Sequence, residues 1–268
     1  MHTFMEILRD HLRYRRQIFK LAKADLVKTY KGAALGWAWA IIRPTITIAV
    51  YYFAFSVGLR RGTDVSGFPF FLWLLGGIVP WFYITSVFTG GAASIRKYSH
   101  LVTKIRFPVS VIPTFTSMSH LVTNGIMTLI VMLIFIAMGY WPDLYWLQLP
   151  LYFVMMFVFF TVWALFAGML SVISKDFLHL VQSSTTALFW MSGIMYDVSG
   201  INSPVLQAIM LYNPVTLIVN GYRNCFIHKV WFWENPVELR NYFIVLAIMM
   251  VLAVRTYKKL FRSIADVL

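Results

Sequence analysis

Residues 69–112 read PFFLWLLGGIVPWFYITSVFTGGAASIRKYSHLVTKIRFPVSVI, and this stretch decides the fold class. Its first part, residues 69–92, contains no charged side chain, whereas residues 94–112 contain four basic side chains and no acidic one. About 20 mostly apolar residues suffice for a helix that crosses a lipid bilayer. Basic residues collect in the short loops on the cytoplasmic side of such helices. The stretch therefore predicts a membrane-spanning helix that leads into a cytoplasmic loop.

The composition of the whole chain agrees with a membrane protein. Of the 268 residues, 60% are hydrophobic and 12% are charged, whereas about a quarter are charged in soluble domains. The net charge of +13 could suit a nucleic-acid-binding protein, which needs its basic residues on a water-exposed face. Here the basic residues flank apolar runs, where they face anionic lipid headgroups. Composition therefore favours a polytopic membrane protein over a nucleic-acid binder.

Six apolar stretches are predicted to span the membrane. They cover about residues 37–59, 69–92, 115–139, 148–173, 178–196 and 241–257. With six spans, 17 of the 23 Lys and Arg residues fall on one side, in residues 1–36, 94–112, 174–178 and 255–268. The positive-inside rule then places both termini, including a tail at 259–268, in the cytoplasm. The fold class predicted is an all-α integral membrane protein with one six-span domain over residues 37–258.

Residues 204–222 are also apolar, but a seventh span would move the basic C-terminal tail to the outside. Asn213-Pro214 would interrupt helical hydrogen bonding in the middle of this segment. We therefore expect a re-entrant helical hairpin that dips in from the outer side, where its backbone lies within protein or lines a cavity.

The N-terminal segment 1–36 is predicted to be a cytoplasmic amphipathic helix in the plane of the membrane. Apolar side chains recur at helical spacing over residues 4–30, at Phe4, Ile7, Leu8, Leu12, Phe19, Ala22, Leu26 and Tyr30. Basic side chains recur on the opposite face. This pattern is typical of an interfacial helix, and the alternative is a helix that packs on a soluble partner.

The sequence contains no signature of its own energy source. A GxxxxGK[ST] phosphate-binding loop is missing, the six His residues show no metal-ligand spacing, and no span carries a central Asp or Glu. We therefore expect no metal and no cofactor on this chain. If the protein moves a solute actively, the energy must come from a partner.

The basic loop at 95–108 is amphipathic and ends at Pro108. A short helix here could dock into a groove of a cytosolic partner through Leu101, Val102, Ile105 and Phe107, with Lys104 and Arg106 at the rim. The alternative is a solvated loop whose charges only set the topology.

Four motifs together resemble the type-2 ABC exporter permeases for polysaccharides. They are Asp25-Leu-Val-Lys-Thr-Tyr-Lys-Gly-Ala-Ala-Leu-Gly-Trp37 leading to Arg43-Pro44, Lys104-Ile-Arg-Phe-Pro-Val-Ser-Val-Ile-Pro113, Lys175-Asp-Phe-Leu-His-Leu-Val181 and Asn213-Pro-Val-Thr-Leu-Ile-Val-Asn-Gly-Tyr-Arg223. The segments Leu72–Gly77, Phe107–Pro113 and Trp141–Pro150 are most similar to the branch that exports wall teichoic acid. Thr29 departs from the pattern, because many relatives have Arg before the Tyr-Lys pair.

The resemblance implies a half-transporter in the bacterial cytoplasmic membrane. Two copies would join two separate ATPase subunits, which hold ATP and Mg, so this chain is not expected to be an enzyme. The substrate implied is an undecaprenyl-diphosphate-linked anionic glycopolymer, with wall teichoic acid preferred over O-antigen or capsular polysaccharide. By analogy with the family, the loop at 95–108 is the coupling helix that contacts the ATPase through Leu101, Lys104, Ile105, Arg106, Phe107 and Pro108.

The remaining candidate residues form three groups. Lys28, Tyr30, Lys31 and Arg43 are candidates to receive the lipid headgroup, although Arg43 could instead snorkel to the headgroup layer. Tyr51, Tyr52, Phe55, Trp73 and Trp81 are candidates to line the channel, and Asn213, Pro214, Asn220 and Arg223 are candidates for a gate in the hairpin. Two other functions stay open: export of a small molecule or drug, and a membrane-embedded polyprenyl-phosphate enzyme that would use Asp25, Asp176 or His179.

Overall fold

A computed structural model describes residues 2–32, 34–54, 67–105 and 107–267. Every regular element in these ranges is a helix, which confirms the all-α prediction. The helices are α1 (His2–Arg13), α2 (Arg15–Tyr30), α3 (Trp39–Tyr52), α4 (Phe70–Lys97), α5 (Ser99–Ile105), α6 (Ile112–Ala137), α7 (Leu149–Ile173), α8 (Lys175–Trp190), α9 (Pro204–Leu211), α10 (Pro214–Arg223) and α11 (Pro236–Val267). Phe55, Arg106 and the side chain of Tyr30 lie outside the described part.

Four helical segments of the described chain are long and apolar enough to cross a membrane. They are Phe70–Ile105, Val109–Ala137, Leu144–Ile173 and Pro236–Phe261. They coincide with the predicted spans at 69–92, 115–139, 148–173 and 241–257 and are candidate spans by length and composition. The last of these is longer than predicted, because α11 continues through the region predicted to be a separate tail, and Ile264 is fully buried.

The two other predicted spans, 37–59 and 178–196, stay predictions. The described part of the first is α3, which has 14 residues. The helix at the second, α8, has 16 residues and ends at Trp190, so the predicted end at residue 196 was too late. At ~1.5 Å per residue, α8 is ~24 Å long, whereas the hydrocarbon core of a bilayer is ~30 Å thick.

Helix α4 occupies the centre of the bundle and contacts α6, α7, α8 and α10. Its side chains at Leu72, Leu74, Leu75 and Ile78 have no exposed surface. A helix that is apolar on all sides is typically buried on all sides. Gly91 lets α7 come close, because a Cβ atom at this position would lie 2.5 Å from the Cβ atom of Ala164.

Two helices, α1 and α2, replace the single helix predicted over residues 4–30, because the chain breaks at Tyr14. Tyr14 packs edge-on against Phe107, with ring centroids 5.2 Å apart. Ile18 is buried, whereas Leu12 and Phe19, which were predicted on the apolar face, are 72% and 62% exposed. Both helices pack where α4 ends, α6 begins and α11 ends, at what we call the basic end of the bundle.

The segment predicted as a hairpin consists of α9 and α10, joined at Tyr212-Asn213. The side chain of Asn213 accepts a hydrogen bond from the backbone N–H of Val215 (3.0 Å), and Pro214 occupies the first position of α10. Both are favourable at a helix N-terminus, so this dipeptide ends one helix and starts the next. These helices lie at the end of the bundle away from α1 and α2, which we call the opposite end; the re-entrant position remains a prediction.

Candidate functional site

A cavity of about 310 Å³ lies between α2, α3, α4 and α6, and we call it the Arg43 cavity. The described residues that line it are Leu26, Thr29, Trp39, Arg43, Pro44, Thr47, Phe82, Thr85, Ser86, Ser119, His120, Thr123 and Met127. Six of these are Ser or Thr, and none is acidic. Since the α6 wall begins in the second turn of that helix, the cavity extends from near the basic end into the bundle.

Arg43 is the one Arg or Lys residue in the described lining, and it carries a full positive charge. Its guanidinium lies 5.6 Å from the ring centroid of Trp39 and makes no hydrogen bond or ion pair with any described residue. Pro44 follows it inside α3 and removes one backbone hydrogen bond there. Arginine offers five N–H donors in a planar fork that suits phosphate and carboxylate groups. A cavity with free donors and no acidic side chain is suited to an anion.

The structure places Lys28 and Lys31, two of the other predicted headgroup residues, outside this lining. Lys28 and Lys31 are exposed on α2 and the turn that follows it. The Nζ atom of Lys28 lies 5.9 Å from the ring centroid of Tyr98. Thr29, the residue that departs from the family pattern, does line the cavity, and its hydroxyl donates to the backbone carbonyl of Asp25 (2.9 Å).

Asp25 forms a junction beside the cavity. Its carboxylate accepts hydrogen bonds from Lys97 Nζ (3.0 Å), from Ser119 Oγ (2.6 Å) and from the hydroxyl of Tyr98. The carboxylate lies on α2, and its donors come from the end of α4, the residue after it, and α6. We call these four residues the Asp25 junction; it ties the N-terminal helices to the segment that carries α5.

The protonation state of Asp25 follows from these contacts. Burial acts to raise the pKa of this carboxyl, but hydrogen bonds from Ser119, Tyr98 and Lys97 and the charge of Lys97 outweigh burial. The pKa therefore lies below its ordinary value, and Asp25 is an anion at neutral pH. Because its oxygens are occupied by these donors, Asp25 is a structural anion and is poorly suited to serve as the general base of an enzyme.

The predicted coupling residues divide between the interior and the surface. Leu101 and Phe107 are buried at the basic end, where the backbone N–H of Phe107 donates to the carbonyl of Leu101 (2.9 Å). They anchor the segment that contains α5 to the rest of this chain, which corrects the prediction that Leu101 and Phe107 dock into a partner. Lys104 is exposed and Ile105 is 65% exposed, while Pro108 is partly buried.

The predicted channel-lining aromatics divide in the same way. Trp73 and Trp81 are 2% and 8% exposed, because they lie on the central helix α4. They therefore do not line an open path in this chain, contrary to the prediction. On α3, Tyr51 is partly buried, and Tyr52 is 49% exposed and packs edge-on against Phe71 (5.1 Å between centroids).

At the opposite end, Arg223 is 2% exposed and binds three backbone carbonyls. It donates to Gly193 (2.8 Å), Ile194 (2.6 Å) and Trp73 (3.4 Å), and its guanidinium lies 3.4 Å from the ring centroid of Trp73. We call this arrangement the Arg223 clasp. It joins the last residue of α10 to the first turn of α4 and to the turn that follows α8.

Two other predicted gate residues extend this connection. Asn213 donates to the carbonyl of Met191 (3.1 Å) and to the hydroxyl of Ser192 (2.9 Å), so both ends of α10 bind the turn after α8. Asn220 donates to Glu238 of α11 (3.1 Å). The predicted gate residues Asn213, Asn220 and Arg223 therefore hold α10 in place, and Pro214 starts it.

Sequence reasoning missed His120 and the junction partners Lys97, Tyr98 and Ser119. Lys97 and Ser119 lie 72 and 94 positions from Asp25, too far apart for any local pattern to connect them. His120 could have been noticed as an imidazole within a predicted span, since ionisable residues there are commonly functional. The part of the chain that the structure describes contains no cluster of His, Cys, Asp or Glu able to hold a metal.

Comparison with known proteins identifies the family. Residues 16–227 match the family described as ABC-2 type transporter. An O-antigen export system permease protein RfbA from Myxococcus xanthus is 28% identical over 224 residues, which cover 83% of this chain and 84% of the relative. A protein of the same name from Klebsiella pneumoniae is 25% identical over 219 residues, which cover 80% and 81%. Because the family match covers most of the chain and the helices include four candidate membrane spans, this protein belongs to the ABC-2 type transporter family and is a membrane permease subunit of an exporter.

Proposed function

We propose that this chain exports a lipid-linked polysaccharide of the O-antigen type across the bacterial cytoplasmic membrane. The similar relatives from Myxococcus xanthus and Klebsiella pneumoniae are both O-antigen export permeases, and each match spans at least 80% of this chain. They support O-antigen, the alternative considered from the sequence, better than wall teichoic acid. The choice of polymer rests on the names of the relatives. The choice of an anionic lipid headgroup rests on the Arg43 cavity.

The headgroup of such a lipid carries phosphate, and the Arg43 cavity fits this chemistry. It offers the guanidinium of Arg43, which has no partner among the described residues, and hydroxyl groups on all four of its helices, and its described lining has no acidic side chain. Lys28 and Lys31 are exposed on or just after α2, which forms one wall of the cavity. Exposed basic residues at a membrane surface attract anionic lipids, so these two lysines collect the headgroup and Arg43 binds it.

The polymer needs a water-filled path that a single chain does not enclose, so we propose that two copies form it together. Helix α8 exposes His179, Gln182, Ser183 and Thr186 at helical spacing. Polar side chains in a membrane normally face the protein interior or a water-filled cavity. We therefore assign this face of α8 to the path, together with Tyr51 and Tyr52 of α3 in place of the buried Trp73 and Trp81.

Energy for export comes from two ATPase subunits that bind ATP and Mg, because this sequence has no phosphate-binding loop. The exposed surface of α5, which includes Lys104 and Ile105, is the proposed contact with the ATPase. The buried Leu101 and Phe107 attach α5 to α1, α4 and α6, so a push on α5 reaches the bundle directly.

Reconstitution tests the proposal. The chain and its ATPase subunits are placed in liposomes, and ATP hydrolysis and polymer export are measured with lipid-linked O-antigen-type polysaccharide, lipid-linked teichoic acid and apolar drugs. The polysaccharide is expected to stimulate hydrolysis and to be exported. Stimulation by teichoic acid alone would restore the branch favoured by the sequence, and stimulation by drugs alone would favour small-molecule export. Turnover of a polyprenyl-phosphate substrate by this chain without its partners would instead favour a membrane-embedded polyprenyl-phosphate enzyme.

A further inference from the structure

The Arg43 cavity has a second potential phosphate-binding residue, on α6, whereas Arg43 lies on α3. His120 lies on α6, lines the cavity and is partly buried, and its ring makes no hydrogen bond with any described residue. A neutral imidazole carries one N–H donor, and a charged imidazole carries two. The ring therefore has a donor that no described residue uses, inside a cavity whose described lining has no acidic side chain.

Two further hydroxyl groups line the cavity on α4 and α6. Thr123 lies one turn further along α6 and Thr85 lies on α4; both line the cavity, and neither hydroxyl has a hydrogen-bond partner in the described part of the chain. By contrast, the hydroxyls of Thr47 and Ser86 donate to the carbonyl groups of their own helices. The hydroxyl groups without a described partner therefore lie on α4 and α6, whereas the guanidinium of Arg43 lies on α3.

The cavity is large enough to hold a ligand with more than one phosphate group. Its volume of about 310 Å³ is several times the ~30 Å³ that one water molecule occupies in the liquid. A diphosphate carries two tetrahedral anionic groups, of which one can bind Arg43 while the other binds His120. A monophosphate has one such group and satisfies one wall.

We infer that His120 is a second phosphate-binding residue and that, with Arg43, it makes the cavity select a prenyl diphosphate over a prenyl monophosphate. This inference rests on the proposed function, because it deepens the assignment of the Arg43 cavity to a lipid headgroup. Its consequence for export is that the cavity binds a carrier lipid with two phosphates more tightly than one with a single phosphate.

Binding to the full chain in lipid nanodiscs tests the inference, with farnesyl diphosphate and farnesyl monophosphate as the two probes. His120→Leu is expected to weaken binding of the diphosphate about tenfold, the contribution of one hydrogen bond to a charged group, and to leave binding of the monophosphate nearly unchanged. His120→Gln keeps an N–H donor and is expected to recover most of the loss. The matched control is His228→Leu, because His228 is exposed shortly after α10, at the opposite end of the bundle and outside the cavity.

The retained affinity for the monophosphate shows that the cavity of His120→Leu is intact. Three results would overturn the inference: an unchanged ratio of the two affinities in His120→Leu, an equal loss of both affinities, or no binding of either probe to the unaltered chain. The export proposal has its own readout, stimulation of the ATPase by lipid-linked polysaccharide. Stimulation of the unaltered transporter alongside any of these three results would remove the role of His120 and leave the export proposal standing.

Discussion

The two ends of the bundle are each held by one buried ionisable residue, but the chemistry of the two ties is opposite. At the basic end, the carboxylate of Asp25 accepts hydrogen bonds from three side chains. At the opposite end, the guanidinium of Arg223 donates hydrogen bonds to three backbone carbonyls. Substitutions of Lys97, Tyr98 or Ser119 can weaken the Asp25 junction one bond at a time, whereas the carbonyls of the Arg223 clasp remain after any substitution.

This difference bears on how export is driven. The Asp25 junction combines a salt bridge with neutral donors, and Lys97 is 51% exposed, so water can replace part of it when α5 is pushed. The Arg223 clasp lies in the interior, where a carbonyl left without a donor costs free energy. We therefore expect the basic end to adjust during the ATPase cycle, and the turn after α8 to move together with α10 as one unit.

Removal of the clasp is expected to have the largest effect. Arg223→Ala leaves three buried carbonyls without their donor and is expected to lower the free energy of unfolding by ~3–5 kcal/mol, because each buried acceptor left without a partner costs ~1–3 kcal/mol. Thermal unfolding of the purified chain in detergent measures this loss. Arg223→Lys should recover only part of it, because an ammonium group cannot reproduce the planar fork. Arg240→Ala, at an exposed position, is the control, and an equal loss in both variants would argue against the clasp.

Substitution of Phe107 tests whether apolar packing, in addition to the Asp25 junction, stabilises the basic end. Phe107→Asp places a charge in the buried cluster beside Tyr14 and is expected to cost at least ~3 kcal/mol of stability. Ile105→Asp, two residues away and exposed, should leave stability unchanged while ATP hydrolysis loses its stimulation by the polymer. Unfolding midpoints and ATPase rates of the two variants are compared. A stable Phe107→Asp that has lost stimulation would instead restore Phe107 to the docking surface.

A methyl group added at Gly77 can test the Arg223 clasp while the charge of Arg223 is kept. A Cβ atom at Gly77 would lie 2.6 Å from Nη2 of Arg223 and 3.2 Å from the carbonyl oxygen of Ile194. Gly77→Ala is therefore expected to cost ~2 kcal/mol through overpacking, measured as a lower unfolding temperature. Gly76→Ala is the matched control one residue earlier, because its nearest contact would be an ordinary 3.4 Å. Equal unfolding temperatures for the two variants would show that the guanidinium can move aside.

The Asp25 junction is expected to be worth less than the clasp. Asp25→Asn keeps an acceptor oxygen for one donor but loses the charge, so a loss of ~1.5 kcal/mol in stability is expected. Asp176→Asn provides the control, since Asp176 is exposed. Tyr98→Phe should cost less than Asp25→Asn, because it removes one of the three donors. A loss of stability in Asp25→Asn as large as that in Arg223→Ala would show that side-chain and backbone partners hold the two ends equally firmly.

The same contrast explains which features could be predicted from the sequence. The spans at 69–92, 115–139 and 148–173 follow from apolar runs, since a backbone in lipid must satisfy its own hydrogen bonds within a helix. The roles of Trp73 and Trp81 could not be assigned from aromatic content, because their burial depends on α4 being surrounded by other helices. The uniformly apolar pattern of residues 70–84 was the signal that α4 is central.

For the candidate site, the pattern around Arg43 predicted one residue of the cavity and missed the rest of the lining. Thr85, Ser119 and His120 come from two other helices, and no local spacing links them to α3. Arg223 was predicted as a gate residue, but its acceptors are backbone carbonyls, which every residue possesses and no sequence pattern marks. Tertiary contacts of this kind require the packed helices to be known.

The smallest expected effect concerns pH and separates the charge of Asp25 from its position. The folded-state pKa of Asp25 lies below its ordinary value, so its ionisation contributes stability that is present above the unfolded-state pKa of about 3.9 and lost as the pH falls through the folded-state pKa. The difference in unfolding temperature between the unaltered chain and Asp25→Asn should therefore stay constant at neutral and mildly acidic pH, and shrink only below about pH 4. A difference that already changes near neutral pH would mean that another titrating group controls the junction.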